Sequence, residues 1–202
     1  MKKVITGAVL TVLGLSLPAM AAVTNKYQFK DKNAYASFYT YDGCSSTGVN
    51  VSAYNNIVKD GPGAPTSQIV AYLDYYNYNY CTGTYSSGSG SSPNVNFTVD
   101  NALKSASLNG TIAVYDYSSG TTKTADVALT WTATENYSSS SKSSYTYQTP
   151  TTISRYRSKG DSSDAQVSGS VMLDGVNIIA NQSSSYGSLN SSKSGTLERT
   201  TR

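Results

Sequence analysis

The run Ile69–Cys81, IVAYLDYYNYNYC, decides the fold. Taken two residues at a time, Ile69, Ala71, Leu73 and Tyr75 fall on one side, and Cys81 follows at the same period. The other side is Val70, Tyr72, Asp74, Tyr76, Tyr78 and Tyr80. Alternation of this length predicts a β-strand with one apolar face and one tyrosine-covered face, ending in a cysteine. No constellation of acid, base and nucleophile lies beside it.

The same period recurs on both sides of this strand. Upstream, Ala34, Ala36 and Phe38 alternate with Tyr35, Tyr39 and Tyr41, and Asp42-Gly43 turns the chain. Val49, Val51 and Ala53 then alternate with Asn50, Ser52 and Tyr54. Asp60 to Pro65, with two prolines, is the strongest break. Downstream, Gly83 to Pro93 reads as a flexible serine-glycine loop. Beyond it Val95, Phe97 and Val99 form one strand face, and Leu108, Ile112 and Val114 another. Ala125, Val127, Leu129, Trp131 and Ala133 follow after the turn Ser118-Ser119-Gly120, which makes a hairpin. A polar stretch, Ser138 to Ser144, leads into an expected strand from Tyr145 to Arg157. Ala165 to Leu173 alternates again, and Asp174-Gly175 turns into Val176–Ile179. Short strands are expected near Ser184–Leu189 and Gly195–Thr200.

About ten strands with no helix predict a single all-β domain over residues 22–202, an antiparallel β-sandwich with the jelly roll as one arrangement of it. A transmembrane barrel also alternates, but here Asn, Ser and Thr fill one side of the strands, and the chain ends in Thr201-Arg202 rather than in an aromatic closing strand.

The N-terminus predicts export. Lys2 and Lys3 precede an apolar run from Val4 to Leu17, and Ala19-Met20-Ala21 is a small-x-small cleavage site. Residues 1–21 are thus expected to be a signal peptide of bacterial type, cleaved after Ala21 or Ala22, which makes the protein secreted or periplasmic. In such a compartment Cys44 and Cys81, the only cysteines, are expected to form a structural disulfide. The formal charge is +3 and charged residues make up 13% of the chain. Without Lys2 and Lys3 the charge falls to +1, so little net field is expected to steer nucleic acid or anionic lipid. Neither a nucleic-acid partner nor stable membrane insertion is expected.

The segments Ser105 to Thr111, Leu129-Thr130-Trp131-Thr132 and Ala165 to Val171 carry a resemblance. They resemble a group of uncharacterised bacterial secreted proteins in which an L-x-G-T strand, a D-x-x-S-G turn and an L-T-W strand recur together. Here Asp116-Tyr117-Ser118-Ser119-Gly120 fills the turn. The resemblance covers the second half of the chain. It implies an exported all-β protein and brings no activity with it.

Chemistry is limited by the absence of histidine, which excludes Ser-His-Asp and Cys-His nucleophile systems and histidine-based zinc sites. Carboxylate-only glycoside hydrolysis would draw on Asp74, Asp100, Asp116, Asp126 and Glu135. Asp74 interrupts the tyrosine face and can either orient sugar hydroxyls or keep a strand soluble. Asp161–Asp164 and Asp174-Gly175 offer oxygens, yet both read as ordinary turns rather than calcium loops. Arg155 and Arg157 share a strand face that can hold an anion or solvate an edge. No motif calls for a cofactor or a metal, and no catalytic residue is assigned.

Tyrosine is the distinctive residue: 18, against 3 phenylalanines and 1 tryptophan. Tyr35, Tyr39, Tyr41, Tyr54, Tyr72, Tyr76, Tyr78 and Tyr80 all oppose the apolar faces. Such rings can form a cross-strand ladder, pack under a loop, touch a protein or stack on sugars. The expectation is a non-enzymatic structural, adhesive or interaction protein at the cell surface or outside the cell, with the tyrosines and Asp74 as contact surface. A carbohydrate-binding module using the same face is the alternative, in which Asn77 and Asn79 add hydrogen bonds.

Overall fold

The computed structural model describes residues 23–200. The expected signal segment and its cleavage points after Ala21 and Ala22 lie outside the described residues, as do the side chains of 23–27, 135–137 (Glu135 among them) and 200. The strands are β1 (Val23–Tyr41), β2 (Ser45–Asp60), β3 (Thr66–Asn79), β4 (Thr84–Ser92) and β5 (Val95–Val99). They continue as β6 (Ser105–Asp116), β7 (Thr121–Gln148), β8 (Thr152–Leu173), β9 (Val176–Asn177) and β10 (Ser184–Thr200). Neighbours pair antiparallel throughout, and the chain is all-β as the alternation predicts.

The architecture is consistent with a sandwich whose corners are hydrogen-bonded. Ala34, Ala36 and Phe38 of β1, Val49 and Val51 of β2, and Ala71 and Leu73 of β3 are buried. They join one cluster with Phe97, Leu108, Ile112, Leu129, Trp131 and Val171 from the other half. Removing this apolar area from water is the main stabilising term. Trp131, fully buried, also donates its indole N–H to the Tyr35 carbonyl at 2.8 Å, fastening β7 to β1. Hydrogen bonding runs in a closed circuit, β1-β2-β3-β4-β6-β7-β8-β10 and back to β1. The β4–β6 corner is short, joining Gly88–Gly90 to Val114–Asp116.

Three segments differ from expectation. Residues 84–92, read as a flexible loop, are strand β4, paired with β3 along its length and with β6 at Gly88–Gly90. Serine and glycine are weak strand formers, and it is the neighbouring strands that hold this one extended. The polar stretch Ser138–Ser144 likewise lies within β7, paired with β8. Asp161–Asp164 is not a turn but part of β8, so its two carboxylates point to opposite faces. At Asp174-Gly175 the turn stands: both residues have positive φ (48° and 83°), the conformation a two-residue hairpin connection requires.

The layer built from β5 and the start of β6 ends at the turn 100–104. There Asp100 accepts the Ala102 and Lys104 amides, and Lys32 donates to the Val99 carbonyl and to Asn101. Beyond this turn β7, β8, β10, β1 and β2 run on as one sheet. Lys30, Lys142 and Lys193 are exposed on one face of this projection, and Phe29, Tyr145 and Tyr147 on the other.

Candidate functional site: the tyrosine face

Register decides which tyrosines meet. Across β1, β2, β3 and β4 the outward rows are Tyr41–Ser46–Tyr78–Tyr85, Tyr39–Gly48–Tyr76–Ser87 and Tyr35–Ser52–Tyr72–Ser91. Small β2 residues thus sit between the tyrosines of β1 and β3, which gives the rings room to lie down across the sheet. Tyr76 does so over Gly48: a methyl group added there would collide with its ring. Half-buried Tyr76 is therefore a lid on β2, while Tyr39, Tyr41, Tyr72, Tyr78 and Tyr80 are exposed.

The rings do not form one continuous surface. One cluster lies at the turn end: Tyr78 meets Tyr80 edge-on at 4.7 Å between centroids and Tyr85 at 6.4 Å, and Tyr80 meets Tyr41 at 6.3 Å. The disulfide underlies this end. Cys44, in the β1–β2 turn, is joined to Cys81, in the β3–β4 turn, and the Tyr80 amide donates to the Cys44 carbonyl. Asp42 shapes the first turn by accepting from the Ser45 and Cys44 amides and the Ser45 hydroxyl. Its bonds to Ser45, helped by the Cys44 amide, hold its carboxyl below the usual value.

A second group centres on Tyr72, which meets Tyr54 edge-on at 5.9 Å. With Ser52, Asn56 and Val70 these two rings line a shallow cleft of about 460 Å³. A polar row separates the groups: Tyr35 donates to Asn50 at 2.9 Å, and Asn50 donates to exposed Asp74 at 2.8 Å. Tyr35 also contacts Tyr186 of β10. Asn77 turns aside to donate to Thr47, and Asn79 caps the β3–β4 turn through the Cys81 and Thr82 amides.

Three further carboxylates, Asp100, Asp116 and Asp126, each have a local partner. Asp100 caps its turn and Asp126 accepts from Thr111 at 2.8 Å. Asp116 is buried, bonded to Lys123, to the Tyr75 phenol and to the Ser118 and Ser119 amides. The Lys123 bond, then the Ser119 amide and the Tyr75 and Ser118 bonds, push its carboxyl far below the normal range.

Several exposed aromatics escaped the sequence reading. Tyr85 belongs to β4, taken for a loop, and Tyr186 to a strand of serines. Tyr145 and Tyr147 alternate in β7, and Tyr145 stacks on Tyr156 at 5.1 Å. Their i, i+2 spacing was the available signal. Among the described residues no three or more of Cys, Asp and Glu are grouped to hold a metal, and no helix is long and apolar enough to cross a membrane. No known protein family, curated protein or solved structure matches the chain.

Proposed function

We propose that this is an exported, non-enzymatic protein that acts as a structural, adhesive or interaction component at the cell surface or outside the cell. Its contact surface is the tyrosine face. The observation that carries this reading is the cluster Tyr41, Tyr78, Tyr80 and Tyr85, in which every ring is at least 36% exposed yet held in edge-on or tilted contact with another. Rings ordered in advance lose little freedom when a partner covers them, and tyrosine offers apolar area with a hydroxyl at its tip. The disulfide beneath the cluster fits an oxidising compartment. A concentration series by analytical ultracentrifugation and pull-down from intact cell envelopes test it. Tyr78→Ala/Tyr80→Ala should abolish the association seen with the native chain, and unchanged association would reject the reading.

The Tyr54–Tyr72 cleft favours a second reading, a carbohydrate-binding module in which a sugar lies against Tyr72 near Asp74. Glycan-array binding that disappears in Tyr72→Ala but survives Tyr78→Ala/Tyr80→Ala would support this alternative over the first.

A further inference from the structure

Charge in the projecting sheet is sorted by face, which the net charge conceals. The register places Lys142 opposite Lys159, Lys159 opposite Lys193, and Lys193 opposite Lys30. Directly opposed residues of antiparallel strands share a face, so four exposed lysines form one row across β7, β8, β10 and β1. With strands about 4.8 Å apart, the row spans roughly 14 Å. Arg157 and Lys59 occupy the next row outward, and Arg155 with Arg199 continue the face beyond. Asp161, bonded to Lys159 at 2.6 Å, is the single carboxylate on this face among the described side chains. Asp31, Asp60 and Glu198 lie on the opposite face of the same strands, together with Tyr145 and Tyr156.

Like charges set directly opposite one another destabilise a sheet. A lysine row with so few counter-charges is therefore a cost to folding that a bound anion would relieve. Where the face meets the end of the second layer, two clefts open on either side of the turn 100–104. One, of about 390 Å³, is lined by Lys30, Lys32 and Lys193 with Phe97 and Asn101. The other, of about 770 Å³, includes Lys104, Lys159 and Ser140. Arg155 and Arg157 thus lie within a five-strand basic face rather than on a solvated edge.

We propose that this face binds an acidic polysaccharide, its carboxylates received by the lysine row and its hydroxyls by the residues between. Those intervening residues are Ser140, Ser144, Gln28 and Asn55, all hydrogen-bonding side chains. Single-stranded nucleic acid would call for stacking platforms, and the exposed aromatic rings of these strands, Phe29, Tyr145 and Tyr147, lie on the opposite face. The inference is independent of the tyrosine reading, because the two surfaces are on opposite sides of the sheet.

The test uses the full exported chain and four probes: polygalacturonate, neutral dextran, duplex DNA and phosphatidylglycerol vesicles. Polygalacturonate is expected to bind with an affinity that falls steeply with salt, and dextran not at all. Lys30→Ser/Lys142→Ser/Lys193→Ser should weaken binding on the order of tenfold or more, with an unchanged circular dichroism spectrum. The corresponding triple Lys→Arg variant should retain binding, and so should Tyr78→Ala/Tyr80→Ala. Failure to bind polygalacturonate at low salt would overturn the proposal, as would equal binding by the triple serine variant. Tighter binding of DNA or vesicles than of polygalacturonate would assign the face to another polyanion and equally reject it.

Discussion

The phenol of Tyr75 donates a 2.9 Å hydrogen bond to the buried carboxylate of Asp116, passing over Gly88, which the register sets between them. Tyr75 and Tyr76 are consecutive, and each lays its ring over a glycine: Tyr75 inward on β4, Tyr76 outward on β2. Lys123 completes the inner arrangement as the ion-pair partner of Asp116. This polar knot sits at the β4–β6 corner, the shortest pairing in the closed circuit of strands.

Stability should depend on pH through this knot. The folded state holds the Asp116 carboxyl below its unfolded value near 4. Its contribution is therefore complete above that pH and is lost as pH falls below it. Lys123 is shifted upward, chiefly by its bond to Asp116, so its contribution is lost only as pH rises past the ordinary lysine range. Urea midpoints measured from pH 2 to pH 7 should fall on the acid side in the native chain and more weakly in Asp116→Asn. Parallel curves would contradict this assignment. Tyr75→Phe should cost about 1–2 kcal/mol at neutral pH.

The two glycines should respond differently to alanine. At Gly88 the added methyl would meet the Tyr115 carbonyl oxygen at 2.8 Å as well as the Tyr75 ring, and backbone cannot swing away. A loss of about 1–3 kcal/mol is expected by chemical denaturation. At Gly48 the obstacle is only the outer end of Tyr76, which can lift into solvent. Gly48→Ala should leave the melting temperature nearly unchanged and raise the exposure of Tyr76 to iodination.

Removing the disulfide tests the turn end of the sheet. The bridge closes a loop with a sequence separation of 37, for which chain entropy gives about 4 kcal/mol. Cys44→Ser/Cys81→Ser should lower the denaturation midpoint accordingly, and the native protein should show no titratable thiol. Two free thiols in the unreduced protein would refute the bridge.

Trp131 offers a direct optical probe. It is the only tryptophan and is fully buried. Its fluorescence should be blue-shifted and resist acrylamide until the global transition. Trp131→Phe removes the bond to the Tyr35 carbonyl, at a cost of about 1 kcal/mol.

Much of this could be read from alternation. Ile69 to Tyr75 already told which face of β3 is buried, and the cysteine pair told which turns meet. Residues 84–92 and 138–144 were opaque because serine and glycine carry no apolar period, and their neighbours extend them. The lysine row was opaque for a different reason. Lys30, Lys142, Lys159 and Lys193 are far apart in sequence, and only the pairing of β7, β8, β10 and β1 brings them into line. Summed charge is blind to such sorting. The glycines of β4 misled in the same way: they looked like linker residues, whereas Gly88 is where a tyrosine must pass.

The closed circuit of strands has a kinetic consequence. β1 is the first described strand to be synthesised, yet one of its two neighbours is β10, the last. Until residues 184–200 emerge, β1 must keep one unpaired flank. Contacts between such distant parts of a chain form slowly and leave partly folded forms prone to association. The circuit of strands therefore closes only once residues 184–200 are free to pair with β1.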